Sequence, residues 1–189
     1  IARLPAQDDA FDVLVIGHLR EEKDPFRPAL ARAYLPDPSR IRMTHLGEAL
    51  SEDMTVTAEL AERKLPRWHW AGGVTHNAVL KRLARARLMV ISSVMEGGAN
   101  VICEALAADV PVLASHMSGN VGMLGADYPG YFPVGDERRL ASLLWSAENE
   151  PDFYASLLRH ARQRRALMRP ELEASRLRQL VAEFEQFPA

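Results

Sequence analysis

Five consecutive residues, Glu96-Gly97-Gly98-Ala99-Asn100, stand between an apolar run and a stretch with helical spacing. A second acid, Glu104, follows about one helical turn beyond Asn100, roughly 6 Å along the axis. Two glycines let a backbone come close to a ligand. The N–H groups that open the following helix turn the positive end of its dipole toward that ligand, so the natural occupant is a phosphate. Both carboxylates can face the same crevice; they would repel the phosphate itself and suit hydroxyl groups of a ribose or sugar, to which a carboxylate is an acceptor. The compensating cations lie earlier in the chain, in Gly17-His18-Leu19-Arg20 and Lys23. A diphosphate carries about two negative charges or more, and an Arg fork with a Lys point charge can neutralise them. Such cations also stabilise a departing diphosphate without a metal. Two further loops are candidates: Gly72 to Thr75, and Ser115 to Gly125 with Ser115, Ser118 and Gly119.

Each of these loops follows an apolar run of strand length. The predicted strands are Asp12 to Gly17, Ile41 to Gly47, Trp68 to Gly72, Leu88 to Ser92, Pro111 to Ser115 and Gly130 to Val134. Helical spacing separates them at Pro25 to Leu35, at Met54 to Lys64 behind Ser51 or Asp53, from Thr75 to Arg87, and at Val101 to Ala108. Asp136 is a predicted cap for Glu137 to Asn149, and helices over about 151–187 begin at Pro151, with Tyr154, Leu157, Leu158, Ala161 and Met168 on the apolar side. Strands alternating with helices over about 130 residues need crossovers, hence a mainly parallel sheet covered on both faces. The predicted fold class is therefore α/β: a doubly wound, Rossmann-like sheet of about six strands, with residues 1–189 as one domain. Ligands of such sheets bind outside the carboxyl ends of the strands, where the glycine loop and the cations fall.

Composition narrows the function. Hydrophobic residues are 48% and charged residues 25% of 189, a globular mixture that excludes a disordered or collagenous chain. The balance of 23 basic against 25 acidic residues, net −2, supplies no global positive field for nucleic acid or anionic lipid. No apolar run approaches the roughly 18 residues of an integral membrane segment, and no signal peptide is recognisable. The single cysteine, Cys103, makes no internal disulfide and belongs to no zinc-like Cys/His spacing, which points to a reducing, cytoplasmic setting and a small buried hydrophobe. The chain begins at Ile1 rather than Met, as expected of a piece of a longer protein.

At these loops the sequence resembles the carboxyl-terminal, donor-binding domain of the retaining GT-B glycosyltransferases of glycosyltransferase family 4. The family pattern is Gly-Arg-Leu with a Lys a few residues on, then Glu-Gly-Phe-Gly with a second Glu eight positions after the first, then a Gly-x-Pro-Val strand. Gly17, Leu19 and Lys23 match the first element; Glu96, Gly97 and Glu104 match the second, followed by Val110-Pro-Val112. The resemblance implies one half of a GT-B enzyme. In it Lys23 and a nearby Arg hold the donor diphosphate, Glu104 binds the ribose, and Gly73 and Val74 lie near the base. Glu96 and the segment from Gly97 through Gly98, Ala99 and Asn100 to Val101 hold the sugar and its phosphate. It further implies transfer with retention of configuration, no divalent metal or other cofactor, a UDP-sugar as donor, and an amino-terminal acceptor domain that this chain lacks.

The chain departs from the pattern in two places. His18 stands where the family has Arg, so Arg20 is the candidate for the diphosphate contact, since residues 18 and 20 of an extended segment point to the same side. Ala99 and Asn100 alter the glycine motif and with it the sugar pocket. The strings Gly17-His-Leu-Arg-Glu-Glu-Lys-Asp-Pro-Phe26 and Met95-Glu-Gly-Gly-Ala-Asn100 are similar to the selenosugar synthase branch, which joins selenophosphate to a sugar from a UDP-sugar.

Plainer readings stand beside these. Glu96 and Glu104 can be solvated helix-end acids, and Arg20 and Lys23 can belong to a loop neutralised by Glu21, Glu22 and Asp24. His18 can act as acid or base, or bind phosphate, or pack. Ser115, Ser118 and Gly119 can contact the donor or simply form a turn. Arg159, Arg162, Arg164, Arg165 and Arg169 form a basic stripe without an acidic sequence neighbour, read as a solvated face or as a contact with the absent domain. A non-catalytic nucleotide-sugar-binding module and half of a nucleotide-sugar epimerase are the alternative functions. A nicotinamide dehydrogenase is disfavoured, because Gly17-His-Leu-Arg-Glu-Glu is not Gly-x-Gly-x-x-Gly.

Overall fold

The computed structural model describes residues 9–95, 97–167, 174, 178 and 179. Six strands, β1 (Phe11–Ile16), β2 (Ile41–Leu46), β3 (Trp68–Trp70), β4 (Leu88–Ile91), β5 (Val112–Ser115) and β6 (Tyr131–Phe132), pair throughout in parallel, in the order β3-β2-β1-β4-β5-β6. Among the described residues, these strands are connected or followed by the helices α1 (Arg27–Arg32), α2 (Glu52–Lys64), α3 (His76–Leu83), α4 (Asn100–Ala107), α5 (Ser118–Leu124), α6 (Glu137–Asn149) and α7 (Pro151–Leu167). This is the doubly wound arrangement expected from the sequence. Chain connections leave β1 and β4 in opposite directions, so a crevice opens between the carboxyl ends of these two neighbours.

The apolar runs become strands because both of their faces are covered. Leu88, Met89, Val90 and Ile91 of β4 and Val112, Leu113 and Ala114 of β5 are buried without alternation, as a central parallel sheet demands. Each of the larger side chains contributes about 1.5–3 kcal/mol by leaving water. Helix α1 packs on α6, while α4 contacts α3 and α7, and α5 also rests on α7. Caps set the helix starts where the sequence indicates: Ser51 Oγ accepts from Met54 N, Thr75 Oγ from Ala78 N, and Asp136 Oδ1 from Arg139 N.

Several expectations are corrected. Helix α5 occupies a stretch read from sequence as loop, so Ser118 and Gly119 lie in its first turn. Residues 21–23 form a single 3-10 turn. The arginines of α7 do have an acid in space: Asp109 accepts from Arg162 and Arg165, and Arg164 donates to the carbonyls of Gly122 and Met123 at the end of α5. Cys103 is half-buried rather than fully enclosed. Met168, Arg169 and the helical stretch expected to about 187 lie outside the described residues, apart from positions 174, 178 and 179. Among the described residues, no helix is long and apolar enough to cross a membrane.

Candidate functional site

The sheet's hydrogen-bond ladder continues past its strands through three glycines. Gly17 N donates to Leu46 O at 2.9 Å, and Gly47 N donates to Gly72 O at 2.9 Å. Beyond Gly17, Leu19 N donates to Glu48 O and Leu50 N returns to Leu19 O, which pins a fully buried Leu19 between two exposed neighbours, His18 and Arg20. Both side chains thus emerge on the solvent side of one short extended segment. His18 Nδ1 accepts from Glu48 N at 3.2 Å. That bond occupies Nδ1 and leaves Nε2 as the ring nitrogen that can donate outward.

The next turn carries Lys23. Asp24 adopts the left-handed conformation, φ +43°, and its carboxylate accepts from Arg27 Nε at 2.8 Å. Asp24 is therefore engaged by Arg27. Arg20 comes no closer than 4.0 Å to Glu22, and both are exposed, an arrangement worth little in water. Glu22 therefore does little to neutralise Arg20.

The glycine loop after β4 is bonded to this turn. Buried Ser92 donates from Oγ to the carbonyls of Lys23 (3.1 Å) and Asp24 (2.8 Å), and Val94 N donates to Glu22 O at 2.8 Å. A cleft lined by Gly17, Lys23, Ser92 and Ser93 marks the junction. The segment from residue 97 to Ala99 then leads into α4, whose N-cap, Ala99, supplies no side-chain hydrogen bond. Amides at a helix end without a side-chain cap can receive an anion. Glu96 lies outside the described residues.

Glu104 stands on α4 with one oxygen 3.8 Å from His76 Nδ1 at the start of α3. Helix α3 follows the loop of Gly73 and Val74, and Gly73 lies against the Glu48 side chain. Ser115 Oγ donates to Ser93 O at 2.6 Å, and fully buried Asn120 donates to Ser115, which fastens the start of α5 to the same loop cluster. Gly98 approaches Met123 of α5. Gly17, His18, Arg20, Lys23, Gly97 to Val101, Glu104, Gly73, Val74, Ser118 and Gly119 thus all belong to the connections at the carboxyl edge of the sheet.

Sequence reasoning overlooked His45, Gly47, Ser92 and Arg27 as individuals. His45 is buried in β2 with Nε2 3.0 Å from Gly17 O, while Nδ1 has no hydrogen-bond partner among the described residues. Burial pushes the imidazole down from its usual range to about 4, despite the carbonyls of Gly17 and Pro25, which favour its protonated form. The available signals were a histidine at the alternate position that follows the apolar Ile41 and Met43 of β2, and a second Gly at a strand end.

Comparison with known proteins follows this geometry. The family model described as glycosyl transferases group 1 matches residues 1–164. No curated protein sequence matches the chain. Among solved structures, Anabaena Alr3699/HepE in complex with UDP-glucose superposes with a TM-score of 0.77 at 19% identity, over 93% of this chain and 48% of that one. Sucrose-phosphate synthase (tll1590) from Thermosynechococcus elongatus gives 0.79 at 22% identity, over 94% and 46%. WaaG, a glycosyltransferase involved in lipopolysaccharide biosynthesis, gives 0.71 at 20% identity, over 87% and 44%. The chain spans about half the length of these structures.

Proposed function

Since this chain belongs to the glycosyl transferases group 1 family, we propose that it is the donor-binding half of a retaining GT-B enzyme of glycosyltransferase family 4, and that its donor is a UDP-sugar. The observation that carries this reading is the stitching of the Lys23 turn to the glycine loop by Ser92 and Val94, beside an amide end of α4 that Ala99 leaves uncapped. In that crevice Lys23 and Arg20 meet the diphosphate together with the amides from Gly97 to Val101. Their positive charge stabilises the departing UDP, which makes a divalent metal unnecessary. Glu104 accepts from the ribose hydroxyls, Gly73 and Val74 border the base, and Ser118 and Gly119 border the sugar-phosphate. Glu96 takes the sugar hydroxyls, and His18 donates from Nε2.

An amino-terminal domain completes the acceptor side, in keeping with a chain half as long as its structural neighbours. The string similarity to selenosugar synthases supports selenophosphate as the acceptor, and a cytoplasmic enzyme. The 189-residue chain alone is expected to bind UDP and to transfer nothing. Titration calorimetry with UDP tests the reading: Lys23→Ala and Glu104→Ala should each weaken binding about tenfold, as for the loss of one charge-assisted hydrogen bond. Unchanged affinity in both variants, or a wild-type chain that binds a nicotinamide cofactor and no UDP, removes the proposed pocket.

A further inference from the structure

We infer that Arg27 is a positioning residue for Lys23, acting through Asp24 and anchored by Glu137 of α6; the inference rests on the donor-site reading above. The chain turns sharply after Lys23, where Asp24 takes a left-handed φ of +43°, a conformation that aspartate reaches more readily than most residues with a Cβ and that its side-chain contacts hold in place. Those contacts begin at the first residue of α1 and are anchored by α6. The Asp24 carboxylate accepts from Arg27 Nε at 2.8 Å, and the same guanidinium donates from Nη1 to Glu137 Oε2 at 2.5 Å, in the first turn of α6. On the other side of the turn, Ser92 Oγ holds the carbonyls of Lys23 and Asp24.

The three charged side chains are 18–25% exposed, so the clamp is sheltered in a way that surface pairs are not. Two carboxylates answer the single charge of Arg27, and both hold its guanidinium above its ordinary range. Arg27 is therefore spent within the protein and is not itself a diphosphate ligand. Its effect reaches the donor through the backbone of residues 23 and 24, and through the packing of α1 on α6 the effect extends to the remote end of the sheet. Glu137, 110 residues away in sequence, thus takes part in donor binding without touching the donor.

The experiment is a double-mutant cycle on the 189-residue chain, with UDP affinity read by calorimetry and thermal unfolding read in parallel. Arg27→Met should weaken UDP binding about fivefold in the wild-type background and have no further effect in the Lys23→Ala background, because a residue that acts only through another is silent once that one is gone. Glu137→Gln, which keeps the Arg27–Asp24 pair, should give a smaller loss that also vanishes with Lys23→Ala, and it stands in if Arg27→Met does not fold. Losses that add to that of Lys23→Ala, or an unchanged affinity with only a lowered unfolding temperature, overturn the inference while leaving the donor site intact. A wild-type chain without UDP affinity overturns both.

Discussion

Replacing Gly47 with alanine should destabilise the chain by about 4 kcal/mol and abolish UDP binding, a large effect for one methyl group. Gly47 follows β2 with φ +156°, and a Cβ there would lie 1.9 Å from Gly17 O, 2.4 Å from Gly17 C and 2.9 Å from His18 N. All three are backbone atoms, so no side-chain rotation relieves the clash. The ends of β1 and β2 would have to part, and with them the bond from Gly17 N to Leu46 O and the contact between His45 and Gly17 O. Trp70 Nε1, which donates to Gly47 O, would be displaced as well. Urea unfolding of Gly47→Ala against Gly122→Ala measures the difference. Nothing would lie near the added methyl at position 122, and a helical Gly→Ala there is neutral or stabilising by about 0.5–1 kcal/mol. A Gly47→Ala protein as stable as wild type would show that the two strand ends are not in contact.

The second large effect is on acid stability. Unfolded His45 titrates near 6.5, whereas in the folded chain burial lowers it to about 4. As pH falls through this interval the unfolded chain takes up a proton that the folded chain refuses, so stability present above about pH 6.5 drains away until about pH 4. The full loss from this one group is about 3 kcal/mol, and half or more of it is felt by pH 5. His45→Gln should flatten the decline between pH 7 and 5 in denaturant titrations, whatever its effect at neutral pH. An identical slope in wild type and variant would dissociate acid lability from His45. Acidification should also reach the donor site, since the ring that must charge abuts the Gly17 carbonyl at the mouth of the cleft.

Most of the architecture is legible because it is written in local terms. Leu88 to Ile91 and Val112 to Ala114 are continuous apolar runs, and only a strand covered on both faces accounts for them. Ser51, Thr75 and Asp136 announce helix starts through side-chain caps that need no tertiary partner. Helix α5 escapes notice for the opposite reason: Ser-Gly-Asn-Val-Gly has poor helical propensity. What sustains it comes from elsewhere, in the burial of Leu124 and in Arg164 reaching from α7 to its last carbonyls. The site divides along the same line. Lys23, Gly97 and Glu104 are recognisable from type and spacing. Ser92 and Gly47 matter only because the β1–β4 and β1–β2 neighbourhoods bring them against the Lys23 turn and Gly17, and Arg27 because the packing of α1 on α6 brings it to Glu137; adjacency of that kind has no signature in a single strand of text. The arginine stripe of α7 misleads likewise, since Asp109 is 53 residues from Arg162 in sequence but 2.8 Å from it in space.

The anchoring of the first loop by main-chain groups and by Leu19 has an evolutionary corollary. His18 and Arg20 on either side of that anchor, and Asn100 at the mouth of α4, are all exposed and bear little of the molecule's weight. Mutation can therefore try new chemistries at these three positions while the scaffold beneath stays unaltered. A lineage built this way can exchange a few outward side chains without cost to the fold, and loses viability only when change reaches the glycine row underneath.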